Sequence, residues 1–162
     1  MIGNANQTKV LIIGLEGASL DAIQKITRKN QLPFLQKVID TASFGNLKST
    51  LPLNGAASWA SFFTGKNPGK HSIYDFVKPN GSLLQPKIID NDYIQSDLMW
   101  HISDRHSLKS IFFNIPIVTK PEKVNGIMVS GFATLKDQPF AYPLSIHQEL
   151  LEQEFKFNTE PY

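Results

Sequence analysis

The chain alternates short apolar runs with segments of helical periodicity, and this alternation restricts its fold more than any other feature. The first apolar run, Lys9–Glu16, is nearly continuous and is followed by Gly17, as is typical of a buried parallel strand. Two later runs of the same type are Ser110–Ile115 and Gly126–Ser130. Because predicted strands alternate with predicted helices, the sequence indicates an α/β fold with a mostly parallel central sheet.

Helix signals lie between these runs. Ser19 is the predicted N-cap of a first helix, and Pro33 takes an allowed first-turn position in a second. The segment Ser43–Thr50 alternates between apolar and polar residues and predicts another strand. A further helix is predicted over Ser96–Ile102 from its apolar spacing. These elements complete the predicted alternation along the chain.

Turn and capping signals define two more segments. Asn80-Gly81 predicts a hairpin turn between two short strands within Tyr74–Asp92. Ser145–Gln148 matches a capping box, so a final helix is predicted to begin there and to extend to about Glu154.

Composition excludes several classes of protein. The 162 residues suit one domain or part of a larger one, and 41% hydrophobic with 19% charged residues is typical of a globular chain. A net charge of +2 is too small to indicate electrostatic attraction to a nucleic acid or a membrane. The chain has no cysteine, so it forms neither a disulfide nor a thiolate metal site. The sequence shows neither a signal-type apolar segment nor a bilayer-spanning run, so we expect a cytoplasmic protein.

The stretch Ser49–Ile73 is the predicted centre of function. Asn54-Gly55 lies just before a short helix built on aromatic residues, and a group bound there would face free backbone N–H donors. Glu16 is predicted at the carboxyl end of a strand, where ligands of α/β sheets gather, and its carboxylate is a hard oxygen ligand for a divalent metal. The alternative for Glu16 is an exposed acid or a salt-bridge partner.

The histidines are weaker candidates. His101, Asp104 and His106 are close enough in sequence for all three to bind one metal ion. The ordinary explanation for such a polar group is a solvated helix end. His71 follows Gly69-Lys70 in a tight loop, where we expect a structural hydrogen bond. His147 is expected to be exposed.

Several of these segments together resemble the type I phosphodiesterase/nucleotide pyrophosphatase family of the alkaline phosphatase superfamily. The resemblance covers most of the chain and rests on four blocks in order: Val10–Ser19 (VLIIGLEGAS), Leu32–Leu35 (LPFL), Leu51–His71 and Asn114–Phe132. It implies a three-layer α/β sandwich with a mostly parallel central sheet, like that of alkaline phosphatase. Residues 1–162 would form the N-terminal part of such a domain, so we expect the sandwich to be incomplete.

The resemblance also implies a chemistry. Family members hydrolyse phosphoesters such as phosphodiesters and nucleotide pyrophosphates, using divalent metal ions that are often zinc. A Ser or Thr nucleophile attacks phosphorus and is itself a metal ligand. By this resemblance Glu16 would be the first metal ligand, and Asn54 matches an Asn that some members carry before the nucleophile. The expected ligand is a small phosphate ester.

Three departures from the family pattern predict that this chain alone is inactive. The family nucleophile lies nine residues before the Thr of Thr64-Gly65, and that count leads to Gly55, which has no side chain. Glu16 replaces the usual Asp, which moves the carboxylate by about 1.5 Å, whereas metal sites tolerate only tenths of an Å. The downstream Asp and His ligands have no counterpart, because Asp97-x-x-x-His101 precedes the fourth block and matches only by coincidence.

Two interpretations remain open. The chain is the N-terminal part of a phosphoesterase-family protein, a degenerate relative kept as a non-catalytic binding or scaffolding module, or both at once. An incomplete domain would leave a sheet edge uncovered, with unpaired backbone groups. We therefore expect the chain alone to self-associate through that edge or to be poorly soluble.

Overall fold

The computed structural model describes residues 8–28, 31–78, 87–131, 134 and 137–155. The chain divides into two compact units, Met1–Lys48 and Ser49–Tyr162. Helices and short strands are both present, which confirms a mixed α/β chain. No helix in the described ranges has the length and apolar character needed to cross a bilayer.

The first unit contains the two helices predicted for it. Helix α1 spans Leu20–Thr27 and helix α2 spans Pro33–Thr41, and the two contact each other. Ser19 caps α1, because its Oγ accepts a hydrogen bond from the Ala22 N–H at 3.2 Å. Pro33 is the first residue of α2, where its missing N–H leaves no helical bond unmade.

The strand predictions for Lys9–Glu16 and Ser43–Thr50 are wrong. The described part of each segment has no regular secondary structure, and the side chains of Leu11 and Leu47 are 84% and 93% exposed. Strand hydrogen bonds come from a neighbouring strand, and no described strand pairs with either segment. The apolar pattern of a strand therefore does not form one without a partner.

The second unit carries the remaining helices. They are α3 (Gly55–Thr64), α4 (Pro68–His71), α5 (Met99–Arg105) and α6 (Leu144–Glu152), with a 3₁₀ turn at Asn91–Tyr93. Helix α5 begins three residues later than predicted, because the His101 side chain accepts the Leu98 N–H at 3.2 Å and fixes the helix start there. The capping box predicted at Ser145 is wrong, since α6 begins directly after Pro143 and has no side-chain cap.

The second unit also holds all the described strands. Strands β1 (Val77–Lys78) and β2 (Lys87–Ile88) pair antiparallel, as predicted, whereas the predicted turn at Asn80-Gly81 lies outside the described residues. Strands β3 (Ser110–Phe113) and β4 (Gly126–Val129) confirm the two later strand predictions and pair in parallel. Strand β5 (Ala141–Tyr142) pairs antiparallel with β4, so the sheet has the order β3-β4-β5.

Apolar clusters lie on both faces of this sheet. Phe112 and Met128 belong to the main cluster, which includes Trp100 of α5 and residues of α3. Val129 is next to Met128 on β4, so its side chain points to the opposite face, where it packs with residues of α6. The main cluster holds α3, and with it the predicted site, against the rest of the second unit.

Candidate functional site

The predicted site lies at the N-terminus of α3. Asn54 is the N-cap, and its Oδ1 accepts a hydrogen bond from the Ala57 N–H at 2.9 Å. Its Nδ2 donates to the Tyr74 carbonyl, so both ends of the amide are held by backbone groups. Gly55 is the first helical residue and presents only its backbone at this position. The sequence thus located Asn54-Gly55 correctly at the helix start, and Asn54 acts there as a cap.

Two hydroxyl groups meet beside this helix. Ser49 Oγ and Ser58 Oγ lie 3.1 Å apart. Ser58 follows Gly55 by three residues, so the two positions share one face of α3. Thr50, next to Ser49, has a buried Oγ1 without a hydrogen-bond partner. Sequence analysis did not predict the Ser49–Ser58 contact, because nothing in the local pattern specifies which hydroxyl reaches the helix.

His71 forms the structural hydrogen bond predicted for it. Its ring is fully buried, and its Nδ1 accepts the Ile73 N–H at 3.1 Å. The proton of the neutral ring is therefore on Nε2, which donates to Ser61 Oγ at 2.9 Å. A general base would have to accept the serine proton, and this tautomer donates instead. The pair joins α4 to α3 and is not a catalytic Ser-His dyad.

Burial of His71 predicts a pH-dependent stability. Desolvation lowers the pKa of His71 in the folded protein below its ordinary value of 6.5. The unfolded chain therefore takes up this proton at a higher pH than the folded chain does. We expect the free energy of unfolding to fall as the pH decreases from about 6.5 toward the folded-state pKa, by at most about 1.4 kcal/mol per pH unit. Urea unfolding between pH 5 and 8 measures this slope.

The control for that measurement is His71→Gln. Glutamine keeps a donor for Ser61 but does not titrate, so the variant should lose the part of the slope that His71 causes. Its stability at pH 8 should be lower, because the fit of the buried ring is lost. If both proteins show the same slope, the buried imidazole is not its origin.

His101, Asp104 and His106 do not form a metal site. His101 Nε2 lies 2.8 Å from Glu122 Oε2, and Nδ1 accepts the Leu98 N–H, so both ring nitrogens are engaged. Asp104 Oδ1 accepts the Asn125 N–H at 2.8 Å. No group of three or more His, Cys, Asp or Glu residues that could hold a metal occurs among the residues that the structure describes.

Asp97 and His147 also have structural partners. Asp97 Oδ2 accepts a hydrogen bond from Arg105 at 3.0 Å, and this bond lowers the pKa of the Asp97 carboxyl. The Asp97-x-x-x-His101 spacing therefore does not mark a ligand pair. His147 is half-buried, with its ring centroid 4.5 Å from that of Phe140, so the prediction that it is exposed is wrong. Its position on α6, packed against the sheet, explains the difference.

Glu16 belongs to the first unit, whereas Asn54 and Gly55 belong to the second. Glu16 is exposed and lies in the turn before α1, next to Gly17, which has a φ of +68°. Its role as a metal ligand stays a prediction.

One comparison with known proteins decides the family. The family model described as type I phosphodiesterase / nucleotide pyrophosphatase matches residues 10–158. The chain belongs to this family. The match confirms the resemblance found in the sequence, and it includes Glu16, Asn54 and Gly55. No significant match was found among the curated proteins or among the solved structures.

Family membership raises the question of whether the described residues fit a metal site. Glu16 offers one carboxylate, but no cluster of three or more ligand-type side chains accompanies it in the described ranges. Structural zinc sites use four protein ligands, and catalytic zinc sites use three. The described residues therefore do not fit a complete zinc centre.

Proposed function

We propose that this phosphodiesterase-family protein does not hydrolyse phosphodiesters or nucleotide pyrophosphates as this chain. One observation carries the proposal: Gly55, which the family resemblance places at the nucleophile position, is the first residue of α3 and offers no side chain there. A serine or threonine oxygen would form the covalent bond to phosphorus, and glycine has no such atom. Loss of a nucleophile typically lowers turnover by roughly 10⁴–10⁶, which is about 5–8 kcal/mol of barrier.

The proposed architecture is the alkaline phosphatase-like three-layer sandwich of the family. Two observations support it. The sheet β3-β4-β5 contains one parallel pair, and apolar clusters that include helical residues lie on both of its faces. Two layers of helices around a partly parallel sheet are what a sandwich of this type requires.

The proposed ligand is a small phosphate ester. The proposed cofactor of a complete family site is a divalent metal ion, with zinc as the first candidate. Glu16 is the candidate metal ligand in this chain. The N–H group of Gly55, a half-buried residue, has no acceptor among the described residues, which leaves one donor at the start of α3, whereas Ala56 is fully buried. A free donor at a helix start favours an anion. A non-catalytic binding or scaffolding module is the alternative function, and this donor together with the changes at positions 16 and 55 favours it.

Turnover of bis-p-nitrophenyl phosphate tests the proposal. We expect no rate above that of the buffer for the wild-type chain with added Zn²⁺. The double variant Glu16→Asp/Gly55→Thr restores the family residues at both positions, and it should also stay at the buffer rate because further ligands are needed. A clear rate from the wild-type chain would refute the proposal, and a clear rate from the double variant alone would refute the expectation that further ligands are needed.

The variant Ser58→Ala is the matched control. If the wild-type chain turns over substrate and Ser58→Ala does not, the hydroxyl one turn along α3 has replaced the missing nucleophile. If both are active, the activity comes from another group or from a contaminant. A rate per protein that changes between independent purifications of Ser58→Ala indicates a contaminant.

A further inference from the structure

The strand pair β1–β2 places two positive charges directly opposite each other. Its ladder has two residue pairs, Val77 with Ile88 and Lys78 with Lys87. The side chains of opposed residues lie on the same face with Cβ atoms about 4.5–5.5 Å apart, and like charges in such a pair destabilise it. Two strands on their own are at best marginally stable in water. These strands therefore need a further contact to stay paired.

The aromatic ring of Tyr93 supplies this contact. The Nζ atoms of Lys78 and Lys87 lie 5.4 Å and 5.3 Å from the centroid of the ring, within the range of a cation–π interaction. A side-chain hydrogen bond to Tyr93 also raises the pKa of Lys87 above its ordinary value, so this lysine keeps its charge at neutral pH. One ring thus attracts both of the charges that repel each other across the ladder.

The ring is attached to the core of the second unit. Tyr93 is the half-buried last residue of the 3₁₀ turn, and it packs against the main cluster. Asn91 in the same turn is buried, and its Nδ2 donates to Glu122 Oε1 at 2.6 Å. Lys78 and Lys87 are exposed by contrast. The turn is therefore the fixed side of the contact, and the strand pair is the side that can leave it.

The neighbouring carboxylates have other partners. Asp92 Oδ2 accepts a hydrogen bond from Lys120, and Asp90 Oδ1 accepts the Asp92 N–H at 3.0 Å. Both acids attract Lys87 electrostatically, but in the part of the chain that the structure describes neither Lys78 nor Lys87 belongs to an ion pair. The aromatic ring is therefore the contact that the two lysines share.

We propose that the Tyr93 ring is a latch that keeps β1 and β2 paired, and that this pair opens by itself when the ring is removed. Proteins open locally in cooperative units, so the sheet β3-β4-β5 stays closed in that event. The pair leads directly away from the candidate site, because Tyr74, whose carbonyl accepts the Asn54 Nδ2, lies three residues before β1. The segment between them is held by Asn54 at one end and by the latch at the other.

Native-state hydrogen exchange followed by NMR tests the latch in the full chain. The Ile89 N–H donates to the Phe76 carbonyl at 2.9 Å beside the ladder, so its exchange reports opening of the pair. The Asn114 N–H, which donates to Val129 next to the β3–β4 pair, is the internal reference. In Tyr93→Leu we expect exchange at Ile89 to become about 5–30 times faster relative to the reference, as the loss of two exposed cation–π contacts predicts. No acceleration at Ile89, or an equal acceleration at both amides, would overturn the proposal.

Tyr93→Phe is the matched control, because it keeps the ring and removes only the hydroxyl group. Its exchange rate at Ile89 should stay closer to that of the wild type than to that of Tyr93→Leu. If Tyr93→Phe opens the pair as far as Tyr93→Leu does, the hydroxyl group and not the ring holds the lysines, and the proposal fails.

A double variant separates charge repulsion from poor packing of the leucine. In Tyr93→Leu/Lys78→Met the charge opposite Lys87 is absent, so the repulsion that opens the pair is removed. We expect exchange at Ile89 to be slower in this variant than in Tyr93→Leu, and the difference measures the coupling between the ring and the lysine pair. A leucine that only packs poorly would open the pair equally with or without Lys78, and that result would contradict the latch.

Discussion

Replacement of Trp100 by alanine is expected to lower the free energy of unfolding by about 3–5 kcal/mol. The side chain is fully buried, and its ring centroid lies 5.7 Å from that of Phe63 and 5.5 Å from that of Phe112. It therefore links α5 to α3 and to β3. Because a domain is stable by only about 5–15 kcal/mol, this one substitution removes a large part of the stability. The indole Nε1 makes no hydrogen bond, so lost packing is the cause.

Urea unfolding followed by circular dichroism measures this effect. The control is Leu53→Ala in the same unit, where the side chain is 74% exposed and the change should stay within about 0.5 kcal/mol. If Trp100→Ala costs no more than Leu53→Ala, then Trp100 is not the central contact of the main cluster.

The helices could be predicted because their signals are local. Ser19 caps the helix that follows it, Pro33 begins the next one, and Asn54 lies within one residue of the predicted start of α3. Each of these signals acts over three or four residues, so the sequence alone contains it. The same reasoning failed at Ser145, because α6 already begins at Leu144, directly after Pro143.

The strands depend on partners that are distant in sequence. Ser110–Phe113 and Gly126–Val129 form strands since each supplies the other's hydrogen bonds, whereas Lys9–Glu16 has an equally apolar pattern and no described partner. Periodicity records which side chains would be buried but not which strand would bury them. This is why the predicted sheet exceeded the observed one.

The candidate site shows the same division. The family pattern placed Asn54 and Gly55 at the start of α3, and this placement follows from local sequence. The contact of Ser49 with Ser58 beside them, and that of His101 with Glu122 elsewhere in the second unit, join residues 9 and 21 positions apart. Such contacts depend on how helices and loops pack together, and no spacing rule in the sequence specified them.

A second large loss of stability is expected for Gly126→Ala. Gly126 lies directly opposite Ser110 in the β3–β4 pair and has a φ of +152°, a conformation that L side chains rarely adopt. A Cβ at this position would lie far inside van der Waals contact of the Ser110 carbonyl oxygen, a backbone atom that moves only if β3 moves. Backbone strain of about 1–3 kcal/mol and overpacking of about 1–3 kcal/mol together predict a loss of roughly 2–6 kcal/mol.

Gly69→Ala separates this effect from a general cost of replacing glycine. A Cβ at position 69 would meet Asn67 Oδ1 at 3.4 Å, an ordinary contact, and Gly69 lies within helix α4 without a positive φ. Alanine also restricts the unfolded chain more than glycine does, so Gly69→Ala should be neutral or stabilising by about 0.4–1 kcal/mol. Equal stability of Gly126→Ala and wild type in urea would mean that β3 and β4 do not pair with Ser110 opposite Gly126.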